Sequence, residues 1–221
     1  MFDRIEYKRK AWNLFKKRLG VPLIASLLFS VLGFLAGIFG FTLIKLNKTW
    51  LSPFIVLFII FGLGICLVVI SYISLKMTRT QDKLPMNDIF IGIKYYWQDG
   101  ILAILWESLW IFLWSLLFTI PGIIKMISYS MMYFVIVENP GISVTKAMDI
   151  SKILTNGHKT DLFVMQLSFL GWAILCYFTG GIGYVFLTAY MSLANANAYN
   201  ALKQMAFQEG KLVPADFSTQ A

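Results

Sequence analysis

The chain has 221 residues, of which 58% are hydrophobic and 14% charged, with a formal net charge of +8. Soluble domains hold roughly 45–50% apolar and about 25% charged residues, so a soluble globular fold is excluded. Disorder is excluded too, because it needs low hydrophobicity. With a mean hydropathy of +0.72 the composition predicts an all-α, polytopic membrane helical bundle forming one membrane domain over residues 1–221.

Residues 1–19 are a basic amphipathic segment in which Ile5, Trp12, Phe15 and Leu19 share one helical face, the pattern of a helix lying on the bilayer. A first span follows at 21–44 and a second at 50–75, each longer than the ~20 residues that cross a hydrocarbon core. The first run also exceeds the ~7–15 residues of a signal peptide's apolar region, so an uncleaved anchor is expected. Lys45-Leu46-Asn47-Lys48-Thr49 leaves room only for a tight connection. A short helix from Asp88 to Trp97 presents Ile89, Phe90, Ile93 and Trp97 to the membrane or the bundle, and a third span covers 101–120. Pro121-Gly122 reads as a turn, with a shorter fourth span at 123–137.

After Pro140, a second surface helix from about Ser143 to Thr155 places Ala147, Ile150 and Leu154 on one face and stops at Asn156-Gly157. From Leu162 to Leu202 no residue is charged. As one helix this stretch would be about 61 Å long, twice a bilayer core of ~30 Å, so it must fold back. Gly180, Gly181 and Gly183 mark the bend between spans at 184–202 and 162–179, making six spans, with 203–221 as a tail.

Sixteen of the nineteen basic residues fall before the first span, between spans two and three, between four and five, and after six. The positive-inside rule therefore predicts cytoplasmic termini and places Lys45, Lys48 and Lys125 on the other face. The basic balance is explained by topology and by contact with anionic headgroups of membrane lipids, and no nucleic-acid partner is expected. Ser26, Ser30, Gly33, Gly37 and Gly40 align along the first span as a small-residue stripe. Gly62 with Cys66, and Ala194, Ala198 and Ala201, offer shorter ones for helix packing. Cys66 and Cys176 read as small buried apolar residues.

Ionisable groups within a membrane are costly, which makes Glu107 and Lys125 candidates for an intramembrane functional role. They differ in depth by roughly 15 Å along the helices, too far to pair. Lys94 or Lys159 would neutralise Glu107, while Lys125 snorkels; a proton or cation site is the alternative. Trp106, Trp110 and Trp114 recur every four residues, which suits packing, lipid contact, or a platform for a tail, a peptide or a quaternary ammonium. Asn195, Asn197 and Asn200, with Gln166, Ser168 and Tyr190, need hydrogen-bond partners inside the bundle. His158, the sole histidine, lies at the start of the fifth span. No catalytic, metal or phosphate-loop motif is present, so no enzyme activity and no cofactor are expected.

Several ordered motifs carry a family resemblance. They are Leu109-Trp110 through Leu117-Phe118, Ile120-Pro121-Gly122-Ile123, Ser128-Tyr129-Ser130-Met131, Asn139-Pro140 and Gly157-His158-Lys159. Leu162-Phe163, Leu167-Ser168-Phe169, Gly171-Trp172, Gly181-Ile182-Gly183 and Tyr190-Met191 follow. Over about residues 100–200 the chain resembles the bacterial membrane family known as domain of unknown function 975, and the first two spans do so loosely. Lys146, Leu170 and Ala189 depart from the family pattern, which has an acidic residue, isoleucine and proline there. The resemblance implies a multi-pass bacterial plasma-membrane protein and brings no catalytic residues. The reading that follows is a non-catalytic module binding amphipathic molecules or a partner protein, in an accessory or protective role in peptide or lipid traffic. A small secondary transporter or channel with Glu107 in its pathway is the alternative.

Overall fold

The computed structural model of the chain describes residues 2–18, 20–45, 52–80, 84–117, 119–179 and 183–217. Among these residues there is no strand. The helices are α1 (Arg4–Lys17), α2 (Gly20–Lys45), α3 (Ser52–Arg79), α4 (Asn87–Leu117) and α5 (Thr119–Tyr129). Then come α6 (Met132–Glu138), α7 (Val144–Thr155), α8 (Lys159–Phe178) and α9 (Gly183–Gln208), with a closing 3-10 turn at Pro214–Phe217. Four stretches are long and apolar enough to cross a membrane: Leu57–Arg79, Asn87–Leu116, Ile120–Glu138 and Lys159–Cys176. They coincide with the expected second to fifth spans, while α2 and α9 occupy the places of the first and sixth.

Helix α1 starts at Asp3, whose carboxylate accepts the backbone N–H groups of Ile5 and Glu6 at 3.0 and 3.1 Å. Its buried face is Tyr7, Ala11 and Phe15, packed on α9. Of the expected apolar face, Phe15 belongs to this buried set, while Ile5 and Trp12 are exposed; Leu19 lies outside the described residues. The cause is tertiary. Alanine at position 11 admits close contact with α9, and the larger Trp12 is left at the rim against Tyr190.

Helices α3 and α4 form the most extensive pair, and they touch backbone to backbone. A Cβ on Gly64 would sit 2.5 Å from the Gly100 carbonyl oxygen, and one on Gly100 would sit 2.7 Å from that of Gly64. Small residues permit such crossings. The crossing uses Gly64, not the expected Gly62 and Cys66 pair. It also explains why Gly100 does not end a helix: the expected 88–97 segment and third span are one continuous helix. In its first turns Ile89 is buried while Phe90, Ile93 and Trp97 are exposed. In α2, Ser26 donates to the Val185 carbonyl of α9 at 2.7 Å. The surroundings of Gly33 and Gly37 lie outside the description, as does the 46–49 connection.

Pro121 and Gly122 sit inside the first turn of α5 and do not form the turn themselves. Proline is tolerated there because the first N–H groups of a helix lack intrahelical acceptors. Gly122 faces Ser115, so its missing Cβ brings α4 and α5 together. The fourth span is interrupted at Ser130-Met131 between α5 and α6. Across the interruption the Ser128 carbonyl accepts the Ser151 hydroxyl of α7 at 2.8 Å. Every residue of α6 except Glu138 is buried, so this short helix is the centre of the bundle.

Ser143 caps α7 through the Lys146 N–H despite the missing acidic partner, and Gly157, at φ +89°, marks the stop that Asn156-Gly157 predicts. The expectation that this helix lies on the bilayer is corrected. Ala147, Ile150 and Leu154 are buried together with Met148, Ser151 and Thr155, against α5, α6 and α9. Helices α8 and α9 fold back on each other as the length argument requires, and a Cβ on Gly183 would meet the Cys176 sulfur at 2.7 Å. Gly180 and Gly181 lie outside the described residues. On α9, Ala194 and Ala198 are fully buried, Ala201 is half-buried, and Ala189 and Ala196 complete the small face. Cys176 is buried and Cys66 half-buried, both as free thiols.

Candidate functional site

At the end of the bundle where α3 stops and α6 turns, side chains from four helices enclose an open cavity of about 610 Å³. Tyr7, Lys10, Arg79, Glu138, Asn200 and Lys203 are among its lining residues. Glu138, at the C-terminal residue of α6, is the hub. One carboxylate oxygen pairs with Arg79 Nη1 at 2.7 Å, and the other with Lys203 Nζ at 2.8 Å. The buried Tyr199 hydroxyl donates to the second oxygen as well. Arg79 also donates from Nε and Nη2 to Asn200 Oδ1 at 3.2 and 3.0 Å, and Asn200 Nδ2 donates to Thr78 Oγ1 at 2.9 Å. Charge-assisted hydrogen bonds of this kind are the strong ones, and here they tie α3, α6 and α9 to one carboxylate. Lys203 is placed by the rings of Phe207 and Phe217, 5.5 and 4.2 Å from its ammonium.

The remaining wall is α1. Lys10 pairs with Glu6 at 2.7 Å, and Asn197 donates to the Tyr7 carbonyl at 3.4 Å. Two turns away on α9 Tyr190 donates to the Lys8 carbonyl at 3.3 Å, and its ring contacts Trp12, Phe15 and Phe169. The Lys8 ammonium donates to Ser168 Oγ at 2.9 Å and lies 4.6 Å from the Phe169 ring, and burial there lowers its pKa. Each lining cation is already paired, Lys10 with Glu6 and both Arg79 and Lys203 with Glu138, so the cavity wall is polar and largely charge-balanced.

The residues singled out from sequence divide among several places. Glu107 accepts the Tyr133 hydroxyl at 2.7 Å, which corrects the expectation that Lys94 or Lys159 would neutralise it; none of the described salt bridges includes it. Trp106 and Trp110 meet edge to face at 6.0 Å, and Trp110 packs on the core. Trp114 instead lies 4.5 Å from the Lys125 ammonium. Asn195 accepts from Gln166 Nε2 at 2.8 Å, an interhelical bond of the kind expected.

Tyr129 is buried with Lys152 over its ring, and Asn139 closes α6 by donating to the Val135 carbonyl at 2.8 Å. Pro140 and Gly141 make the turn into α7, and Gly171 and Trp172 are exposed on α8. His158 stacks on Phe2 at 5.6 Å beside Asp161, next to Lys159, the first residue of α8. Glu138, Arg79, Lys203 and Tyr199 were not among the sequence candidates. Arg79 and Glu138 end their helices and Lys203 lies in the last turns of α9, where a charge reads as topology, while Tyr199 lies inside α9; their convergence has no local signature. Among the described residues no group of three or more His, Cys, Asp or Glu side chains could hold a metal.

Fold and cavity define a membrane-capable helical bundle closed at one end by a charged, hydrogen-bonded cluster. Residues 120–206 match the family model described as protein of unknown function (DUF975), the family that the motif pattern resembles. The match runs from α5 to α9 and takes in Glu138, Tyr199 and Lys203, while Arg79, Glu107 and the tryptophan stripe precede it. Comparison with curated proteins and with solved structures finds no match.

Proposed function

We propose that the chain is a non-catalytic, multi-pass module of the bacterial plasma membrane that binds amphipathic molecules, as an accessory or protective factor in peptide or lipid traffic. In this reading six helices span the bilayer, α2 and α9 joining the four apolar stretches, and both termini are cytoplasmic by the positive-inside rule. The observation that carries it is the cavity around Glu138: a polar chamber lined by ion-paired side chains at the end of a bundle whose sides are apolar. Phe34, Phe112, Leu116, Trp172 and Phe178 are all more than half exposed, as lipid-facing side chains are. A guest with a polar head and an apolar body satisfies both environments. No cofactor is required, and a protein partner is a second class of guest for the same end of the bundle.

The transporter alternative needs Glu107 in a water-filled pathway. Glu107 does not line the Glu138 cavity, and its helix presents Leu102, Leu109, Phe112 and Leu116 outward. The interrupted α5–α6 span is the one feature that favours transport. The deciding experiment extracts the tagged protein in native lipid discs and identifies co-purifying lipids, peptides and proteins by mass spectrometry. A selectively enriched amphiphile, depleted when Arg79→Gln and Lys203→Gln are introduced, is the expected result. No enrichment over bulk lipid, with ion flux abolished by Glu107→Gln in vesicles, would replace the module with the transporter.

A further inference from the structure

The chain leaves α1 at Arg18 and enters α2 at Gly20, and a cavity of about 290 Å³ opens beside this junction, against the end of α3. Lys17 and Arg18 line it, with Val21, Met77 and Leu84 among its apolar walls. Arg18 is fixed in place, because its Nη1 donates to the Thr80 carbonyl at 2.6 Å. That bond takes one of the five guanidinium donors. Among the described residues neither Lys17 nor Arg18 lies within salt-bridge distance of a carboxylate, and no acidic side chain lines the cavity. The Glu138 cavity differs on this point, since Lys10, Arg79 and Lys203 are all paired there. Two cations on one cavity wall without a counter-charge attract an anion.

The surroundings say which kind of anion. In the six-span reading the start of the first span and the end of the second meet at one membrane surface, so both cations stand at the height of lipid headgroups. Trp12, exposed on α1 with Lys16 Nζ 4.9 Å from its ring, suits the same level. Gly20 faces open space, for a Cβ there would meet nothing within 4 Å. Leu27, Val31, Phe34 and Ile38 follow Gly20 at helical spacing on the same face of α2, and all four are exposed. One face of α2 thus runs from the cavity into hydrocarbon-facing side chains. Small-molecule sites start at about 300 Å³, so the cavity has room for a headgroup and leaves the chains outside, along α2. A free inorganic anion gains nothing from that face.

We infer that Lys17 and Arg18 form a binding site for the phosphate headgroup of an anionic membrane phospholipid, whose acyl chains lie along Leu27, Val31, Phe34 and Ile38. The inference rests on the proposed reading of the chain as a membrane protein but not on the Glu138 cavity, which has other lining residues.

The test reconstitutes the full chain in discs of phosphatidylcholine with a minor fraction of phosphatidylglycerol and counts retained lipids by native mass spectrometry. Wild type should retain phosphatidylglycerol over phosphatidylcholine. Lys17→Gln and Arg18→Gln should each weaken retention about fivefold, the scale of one cation near a charged surface, and the double variant should lose most of it. Arg9→Gln removes the same charge from an exposed position on α1 outside the cavity and should change retention less than twofold. Helicity by circular dichroism checks folding, and Lys17→Gln, which leaves the Thr80 contact intact, serves if the Arg18 variants fail to fold. Equal retention of both lipids by wild type, or unchanged retention in Lys17→Gln, would overturn the site. An Arg9→Gln loss as large as that of Lys17→Gln would do so too, because it means general attraction to a basic surface. Release by inorganic phosphate but not by chloride at matched ionic strength would also overturn it, as the mark of a free-anion site. An Arg79→Gln, Lys203→Gln protein should keep its phosphatidylglycerol, so failure of the cavity reading and failure of this site give different results.

Discussion

Glu107 on α4 and Glu138 at the end of α6 each accept a tyrosine hydroxyl, from Tyr133 and Tyr199 respectively. Among the described residues Glu138 alone of the two is also held by cations, Arg79 and Lys203. A carboxylate low in a membrane bundle therefore has two solutions in one molecule. One is a single hydroxyl contact between adjacent helices; the other is a node that ties three helices together. Intramembrane position singles out Glu107, yet the denser chemistry is at Glu138, beside the helix ends where arginine and lysine from distant parts of the chain can reach it.

The largest expected difference between the two nodes comes from deleting the hub. Glu138→Ala leaves Arg79 and Lys203 without their acceptor and should destabilise the protein by about 2–3 kcal/mol, below the usual cost of breaking a buried pair because Arg79 is partly exposed. Thermal unfolding in detergent measures it; a change no larger than that of Glu107→Ala would erase the distinction. A smaller contrast separates the tyrosines. Tyr199→Phe, which removes a fully buried donor from a charged acceptor, should cost about 1.7 kcal/mol, the upper end for interhelical bonds, and Tyr133→Phe about 0.6 kcal/mol, the average. Equal costs would mean that the cations add nothing to the Glu138 node. The smallest effect is Glu107→Gln, whose amide oxygen still accepts the Tyr133 hydroxyl. Stability should stay within about 0.5 kcal/mol, and a deletion strain should be fully complemented. Lost complementation with normal stability would return Glu107 to the centre of the mechanism.

Much of the helix layout is legible one segment at a time. The fold-back between α8 and α9 follows from the length of an uncharged run, and the end of α7 from Asn156-Gly157. Asn195 had to find a partner because an amide in a bundle cannot go unbonded, and Gln166 supplies it. The misreadings share one cause. Trp12 is larger than Ala11 and dominates any apolar pattern, yet the smaller residue is the one that lets α9 approach. The helix at 88–97 and the span at 101–120 read as separate elements, but Gly100 between them lies at the crossing with Gly64 and the helix continues.

Composition, run length and terminator residues are enough to dictate a helical membrane-capable chain, the approximate limits of most of its helices and the family motifs over 120–206. Those properties depend on groups within a few turns of one another, or on the bulk transfer energy of a segment. The cluster at Glu138 and the glycine crossing depend on which helices meet and at what height, and residues such as Arg79 and Lys203 stand 124 positions apart in the chain. Helix faces inside a membrane are nearly uniform in hydrophobicity, so small differences in side-chain size and a few polar contacts choose the pairings. Those contacts exist only once the bundle has closed.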